Sequence, residues 1–325
     1  MNATLDTATM DALILRAREK FRRLLQDSPQ LFGGEHNPRI AHTISETAPL
    51  GTNAVPAGRD VYSTSGLMAG VDLTLLDPAA TEEQIRHIAA RGVRDGAATI
   101  CVYPQHVALV QQVTRGAPPP IAVVGFPSVE DPVTALAGTL AETRTAIRDG
   151  AREIDMVLPA SFAQANPDYT AHYQYIRAVV EEAGKAQVPV KLILETACLT
   201  DAQKIEACLL AKIAGAAWVK TSTGFADPAC MRPEIPPEQK GATPEDIALM
   251  RRTVGDTTLT DDGRVMPMGV KASGGVRTRE QVMEYYWLGA DRIGASGGLD
   301  LRSMLEKQVT DRRAAAPKGR IMGDY

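Results

Sequence analysis

Eight short β-type runs alternate with helical patterns along most of the chain, and no other feature of the sequence restricts the fold as much. The runs are LMAGVDLTLL (67–76), ATICVY (98–103), IAVVGF (121–126), REIDMVL (152–158), VKLILET (190–196), AWVKTST (217–223), GVKAS (269–273) and DRIGAS (291–296). Apolar spacing predicts helices near 81–94, 105–115, 131–149, 168–186, 200–214, 243–254 and 277–288, with a short one at 299–308. Strict alternation implies a parallel sheet joined by right-handed crossovers, and eight units over about 245 residues suit a TIM (β/α)8 barrel of the α/β class. A doubly wound open sheet is the alternative. Gly-Ala pairs at 96–97, 150–151, 215–216 and 289–290 precede the even-numbered strands, where Gly ends a helix in the left-handed conformation. Prolines at 118–120, 189 and 267 precede the third, fifth and seventh strands.

The 325 residues exceed what such a barrel needs. Residues 9–27 carry Leu13, Ala17, Phe21, Leu24 and Leu25 at helical spacing, which predicts a separate amphipathic helix. From Ser28 to Ser65, Pro, Gly, Thr, Asn and Ser predominate with little periodicity, the composition of a long connection. The expected division is an N-terminal helix and linker (1–65), a barrel (66–310) and a tail (311–325). Residues 226–268, between the sixth and seventh strands, look extended for one crossover and read as loops at a barrel rim.

Composition narrows the function classes. With 44% hydrophobic and 23% charged residues the chain can bury a core, and its net charge of −4 without a basic block disfavours nucleic acid as a partner. No run of 18 apolar residues and no signal-peptide pattern stands in the sequence, so a cytoplasmic, membrane-free protein is expected. Cys101, Cys198, Cys208 and Cys230 form no CxxC pair and read as reduced thiols. His36, His42, His87, His106 and His172 show no HxH or HExxH spacing, so a zinc-dependent enzyme is disfavoured; no cofactor is expected.

A strand buried on both faces should be nearly continuous Val, Ile and Leu, yet four of these strands carry charges: Asp155, Lys191 with Glu195, Lys220, and Lys271. Burying an unpaired charge costs several kcal/mol, so the charges are paired, neutralised or used. One reading is a structural ion-pair network. The chain has only 10 Lys against 25 Arg, however, and three of those lysines lie in strands. An amine can lose its proton and attack a carbonyl where a guanidinium cannot, so Schiff-base chemistry requires Lys. Lys220 and Lys271, at corresponding positions on neighbouring predicted strands, could pair so that one ammonium eases deprotonation of the other. Asp155 could then move protons.

The segments VDLTLLDPAAT (71–81), ATICVYPQHV (98–107), REIDMVLP (152–159), VKLILETACLT (190–200), WVKTSTGF (218–225), VKASGGVRT (270–278) and RIGASGG (292–298) resemble the deoxyribose-phosphate aldolase family, in order and across the predicted barrel. The resemblance implies a metal-independent class I aldolase that reversibly cleaves 2-deoxy-D-ribose 5-phosphate to D-glyceraldehyde 3-phosphate and acetaldehyde. It implies Lys220 as the imine-forming lysine, Lys271 as the partner that lowers its pKa, and Asp155 as the acid/base group working with a water. Tyr325 at the chain end corresponds to a tyrosine that in some members folds over the site and assists proton abstraction.

A phosphorylated substrate needs an anion site, and the loops after the seventh and eighth strands offer Gly274, Gly275, Ser296 and Gly297. Gly297 departs from members with a second serine there, which removes a hydroxyl donor. Asp72 resembles the acid that holds the family's polar network. Thr223 is expected near substrate hydroxyls, and Cys101 near the site as a packing residue. The expected partners are a small phosphorylated sugar and an aldehyde, with a homo-oligomer, a dimer, as the assembly. Two other readings stay open: another Schiff-base sugar-phosphate aldolase with a different donor, and a non-catalytic sugar-phosphate-binding barrel.

Overall fold

The computed structural model describes residues 5–33, 37–45, 48, 50–52, 55, 58–126, 128–260, 262–296 and 300–307. Strands β1 (Val71–Leu75), β2 (Thr99–Val102), β3 (Pro120–Val124), β4 (Glu153–Val157), β5 (Val190–Ile193) and β6 (Trp218–Lys220) are followed by an antiparallel hairpin, β7 (Thr257–Leu259) and β8 (Val265–Pro267). The chain then returns through β9 (Gly269–Ser273) and β10 (Arg292–Ser296). All but the hairpin form a closed parallel barrel in the order β1-β10-β9-β6-β5-β4-β3-β2. Closure excludes the open-sheet alternative, and each of the eight predicted runs contributes one barrel strand.

Around the strands lie α4 (Glu82–Asp95), α5 (Val107–Thr114), α6 (Pro132–Arg148), α7 (Tyr169–Gly184), α8 (Asp201–Ala214), α9 (Pro244–Val254), α10 (Arg279–Trp287) and α11 (Leu301–Lys307). Their boundaries follow local chemistry. Thr81, Thr200 and Thr278 each form a capping box with the Gln three residues on, satisfying two backbone donors at the starts of α4, α8 and α10. Gly96 (φ 72°) and Gly215 (φ 88°) end α4 and α8 in the left-handed region, which lets the chain turn at once into β2 and β6.

The extension is a layer on this barrel. Helix α1 (Thr7–Asp27) buries Met10, Ile14, Ala17 and Phe21 in the main apolar core, with Phe21 stacked 5.3 Å from both Phe32 and Tyr169. Asp11 pairs with Arg252 of α9 at 2.7 Å, and Lys20 with Glu206 of α8 at 2.7 Å. Helix α8 consequently has barrel on one side and extension on the other, and every residue from Lys204 to Ala214 is buried.

Three segments differ from the sequence expectation, one of them the β7–β8 hairpin, which lies in a stretch read as loop. The connection after Ser28 is not wholly irregular: α2 (Pro38–Ile44) and α3 (Thr64–Met68) lie within or against it, and Phe32, Ile44 and Val61 are buried. Asn37 starts α2 by accepting from the Arg39 amide at 3.0 Å, with Pro38 at the first helical position, an Asn-Pro signal too short to register as periodicity. Leu67 and Met68 close α3 rather than opening the first strand.

Candidate active site

Parallel register decides which side chains enter the barrel. Laterally paired residues share a face, and Asp155 pairs with Lys191, Lys191 with Trp218, Lys220 with Lys271, Lys271 with Arg292, and Asp72 with Thr99. These side chains therefore line one interior, where a barrel of this kind normally stacks Val, Ile and Leu. Gly269 opposes Trp218 where a Cβ would run into the indole, so the floor accommodates a large ring by omitting a side chain. Lys191 and Arg292 lie over that ring, 5.7 and 5.8 Å from its centroid.

Above the floor, Asp155 is the hub. Its Oδ2 accepts from Lys220 Nζ at 3.0 Å and from Lys271 Nζ at 2.8 Å, and its Oδ1 lies 3.1 Å from Lys191 Nζ. Lys191 also pairs with Glu153. Lys271 reaches Asp72 Oδ2 at 2.7 Å, and Asp72 Oδ1 accepts from Arg292 Nε at 2.8 Å and from the Thr99 hydroxyl at 2.7 Å. Asp72, Asp155, Lys191 and Lys271 are fully buried and Lys220 is 1% exposed. Sequence reasoning brought Asp155, Lys191, Lys220, Lys271 and Asp72 forward; the structure places them together and adds Glu153 and Arg292. Strand parity is the signal that finds Glu153, which lies two residues before Asp155 and so on the same face.

The electrostatics follow from this packing. Burial alone pushes the Asp155 carboxyl up, but Lys191, Lys271 and Lys220 outweigh it and hold the group well below the usual carboxylate range. Asp72 is likewise held down against its burial by Arg292, Lys271 and Lys191. Burial pulls Lys271 down, while Asp155 and Asp72 outweigh that and raise it above the ordinary lysine range, so it stays cationic. Among the strand residues of this interior, Lys191, Lys220, Lys271 and Arg292 face Asp72, Glu153 and Asp155, one cation more than carboxylates. Lys191 and Lys271 each reach two carboxylates, whereas Lys220 reaches Asp155 alone and shares that oxygen. Lys220 is thus, of the three strand lysines, the one with the fewest carboxylate contacts among the described residues.

The opposite half of the interior is apolar. Leu76, Cys101, Ile121, Val123, Val157 and Ile193 form one cluster, against which Tyr103 and Phe126 pack. Burial raises the Cys101 thiol above its usual range, so Cys101 is a packing residue. At the C-terminal ends of the strands, Tyr103 after β2, Phe126 after β3 and Phe225 after β6 stack edge to face, with centroids 5.2 and 5.3 Å apart. Because β3 and β6 are separated by two strands, the Phe126–Phe225 contact bridges the barrel mouth.

The loop after β6 is held from beside. Glu195, left-handed at φ 57°, accepts from the Thr223 amide at 3.2 Å and from its hydroxyl. Thr223, expected near substrate hydroxyls, therefore has its own hydroxyl tied to Glu195. Burial raises the Glu195 carboxyl, and the Thr223 bonds only partly offset it. Ser222 Oγ is buried and has no hydrogen-bond partner among the described residues. Gly274 (φ 86°) and Gly275 (φ 71°) end β9 in conformations that favour glycine, and Ser296 ends β10. Gly297 and Tyr325 lie outside the described residues. Among the described residues, no group of three or more His, Cys, Asp or Glu side chains is arranged to hold a metal ion, and no helix is long and apolar enough to cross a membrane.

Known proteins resemble this chain over the same region. The DeoC/LacD family aldolase model matches residues 67–323. A deoxyribose-phosphate aldolase of Macrococcus caseolyticus is 40% identical over 232 residues, 71% of this chain and 93% of the relative. Deoxyribose-phosphate aldolase 1 of Cutibacterium acnes is 42% identical over 236 residues, covering 72% and 96%. The structure of the tetrameric deoxyribose phosphate aldolase from Aeropyrum pernix superposes with a TM-score of 0.60 at 26% identity, covering 76% of this chain and 97% of that one. The chain belongs to the DeoC/LacD family of aldolases.

Proposed function

We propose that this aldolase reversibly cleaves 2-deoxy-D-ribose 5-phosphate to D-glyceraldehyde 3-phosphate and acetaldehyde, with Lys220 as the Schiff-base residue. The observation that carries the reading is a buried lysine at the end of β6 whose one carboxylate partner among the described residues, Asp155, is also bound by Lys271. Lys220 gives its proton to a water held at Asp155, and the freed amine adds to C1 of the open-chain sugar. Loss of water from the carbinolamine gives an iminium. A base then takes the C3 hydroxyl proton, the C2–C3 bond breaks, and its electron pair flows into the iminium to leave an enamine. D-Glyceraldehyde 3-phosphate departs; protonation at C2 and hydrolysis release acetaldehyde and restore the lysine.

Each remaining group has a part in that sequence. Asp155, kept ionised by its lysines, relays protons through a water at C1 and at the C3 hydroxyl. Lys271 stays cationic and disfavours a second ammonium beside it. Asp72, Glu153 and Arg292 fix Lys271 and Lys191 from below. The aromatic bridge limits water at the enamine. Gly274, Gly275 and Ser296 offer backbone and hydroxyl donors to the phosphate, and Gly297 and Tyr325, outside the described residues, are further candidates. The expected assembly is a homo-oligomer, which light scattering of the purified protein measures.

A donor panel tests the reading. With D-glyceraldehyde 3-phosphate as acceptor, acetaldehyde is expected to give 2-deoxyribose 5-phosphate faster than dihydroxyacetone, pyruvate or glycolaldehyde give their adducts. Preference for another donor would contradict it.

A further inference from the structure

The cradle of Gly274, Gly275 and Ser296 is neutral, whereas a phosphate monoester carries a charge of about −1.5 to −2 at neutral pH. A cation at the rim would complete it, and the long loop between β6 and α9 brings one there. Gly241, near the end of that loop, lies so tightly on β9's exit that a Cβ on it would run into the Gly274 carbonyl and come within 3.0 Å of the Gly275 nitrogen. The next amide, of Ala242, donates to the Ser273 and Gly274 carbonyls at 3.0 and 3.1 Å. From the other side, a Cβ on Gly274 would lie 3.4 Å from Gly224 Cα. Gly224 and Gly241, at the two ends of the loop between β6 and α9, thus form a seam with Gly274 in the loop after β9, and the residue before Gly241 is Lys240.

Lys240 is half-buried and forms no ion pair among the described residues. Its charge acts on Glu195, whose carboxylate is already occupied by Thr223. Other cations near these loops are committed: Arg232 bonds the Leu199 carbonyl and Glu234, and Arg279 bonds the carbonyls of Leu305 and Tyr62. Arg277 is exposed beyond Val276. We propose that Lys240, carried by the loop between β6 and α9 and anchored through the Gly241–Gly274 contact, is a binding residue for the substrate phosphate. An ammonium on a flexible four-carbon stem suits a rim position, where it can follow the phosphate as substrate enters.

This inference rests on the sugar-phosphate reading above, and one experiment separates the two. Cleavage of 2-deoxyribose 5-phosphate and of 2-deoxyribose is measured for wild type, Lys240→Met, Lys240→Arg and Arg277→Ala. Wild type is expected to prefer the phosphorylated sugar. Lys240→Met should reduce that preference roughly tenfold, the size of one lost charge-assisted contact, with the change residing in KM. Lys240→Arg should restore most of it, and the KM for the phosphate ester should depend less on salt in Lys240→Met than in wild type. An unchanged preference in Lys240→Met, or a loss confined to Arg277→Ala, overturns the role of Lys240 while leaving the aldolase reading intact. A wild-type protein that cleaves neither sugar overturns both.

Discussion

Lys220 and Lys271 donate to the same oxygen, Asp155 Oδ2, at 3.0 and 2.8 Å. One carboxylate oxygen between two buried ammonium groups makes each lysine's proton dependent on the other. Three expectations follow for this cluster and its roof, and one for the extension.

Asp155→Asn keeps the shape and removes the charge that binds Lys191, Lys220 and Lys271. Leaving buried ammonium groups without their carboxylate costs about 3–5 kcal/mol. Urea unfolding should show that loss, and aldol cleavage should fall by orders of magnitude in protein that remains folded. Near-wild-type stability would mean that water, rather than Asp155, balances the lysines.

Lys271→Met removes a cation that burial would neutralise but that Asp155 and Asp72 keep charged. A folded pKa above the ordinary lysine value means the group contributes stability at neutral pH that is lost only as pH rises through that folded value. Across the neutral range the variant therefore loses a permanent charge beside Lys220, whose ammonium then has Asp155 Oδ2 to itself. The pH–rate profile of imine formation should move toward alkaline pH, and an unmoved profile would remove Lys271 from that role.

Phe225→Ala opens the bridge to Phe126. Loss of one edge-to-face pair costs about 0.5–1.5 kcal/mol beyond the area it buries. Because the bridge spans the mouth above Lys220, the variant should form imines with bulkier aldehydes, such as benzaldehyde, faster relative to acetaldehyde than wild type does. An unchanged ratio would show that the aromatic stack does not limit access.

Phe21→Ala creates a cavity between α1 and the barrel helices, since Phe21 is fully buried against Phe32 and Tyr169. Large-to-small substitutions of buried aromatics cost about 3–5 kcal/mol. Thermal unfolding should shift down by several degrees with kcat of the folded protein retained. A wild-type melting curve would make α1 a dispensable appendage.

Much of the site was legible because the chemistry breaks the pattern of the strands. Asp155, Lys220 and Lys271 stand out in apolar runs, and closed register brings them to one oxygen. Glu153 and Arg292 were harder to see, since each opens its strand and reads as an edge charge until parity places it inside. The β7–β8 hairpin left no trace because its strands are three residues each, with Val265 and Met266 exposed, so no alternation marks them. Glu195 carries its strain in φ, which composition does not encode. The contact of Gly241 with Gly274 joins residues far apart in sequence and is visible only in three dimensions.

Trapping the imine tests the assignment of Lys220 most directly. The protein is incubated with acetaldehyde, reduced with borohydride, digested and mapped by peptide mass. An ethyl adduct of the lysine in the WVKTSTGF segment, Lys220, is expected, and it should vanish in Lys220→Arg. No adduct, or an adduct on Lys191 or Lys271 with Lys220 unmodified, would contradict it.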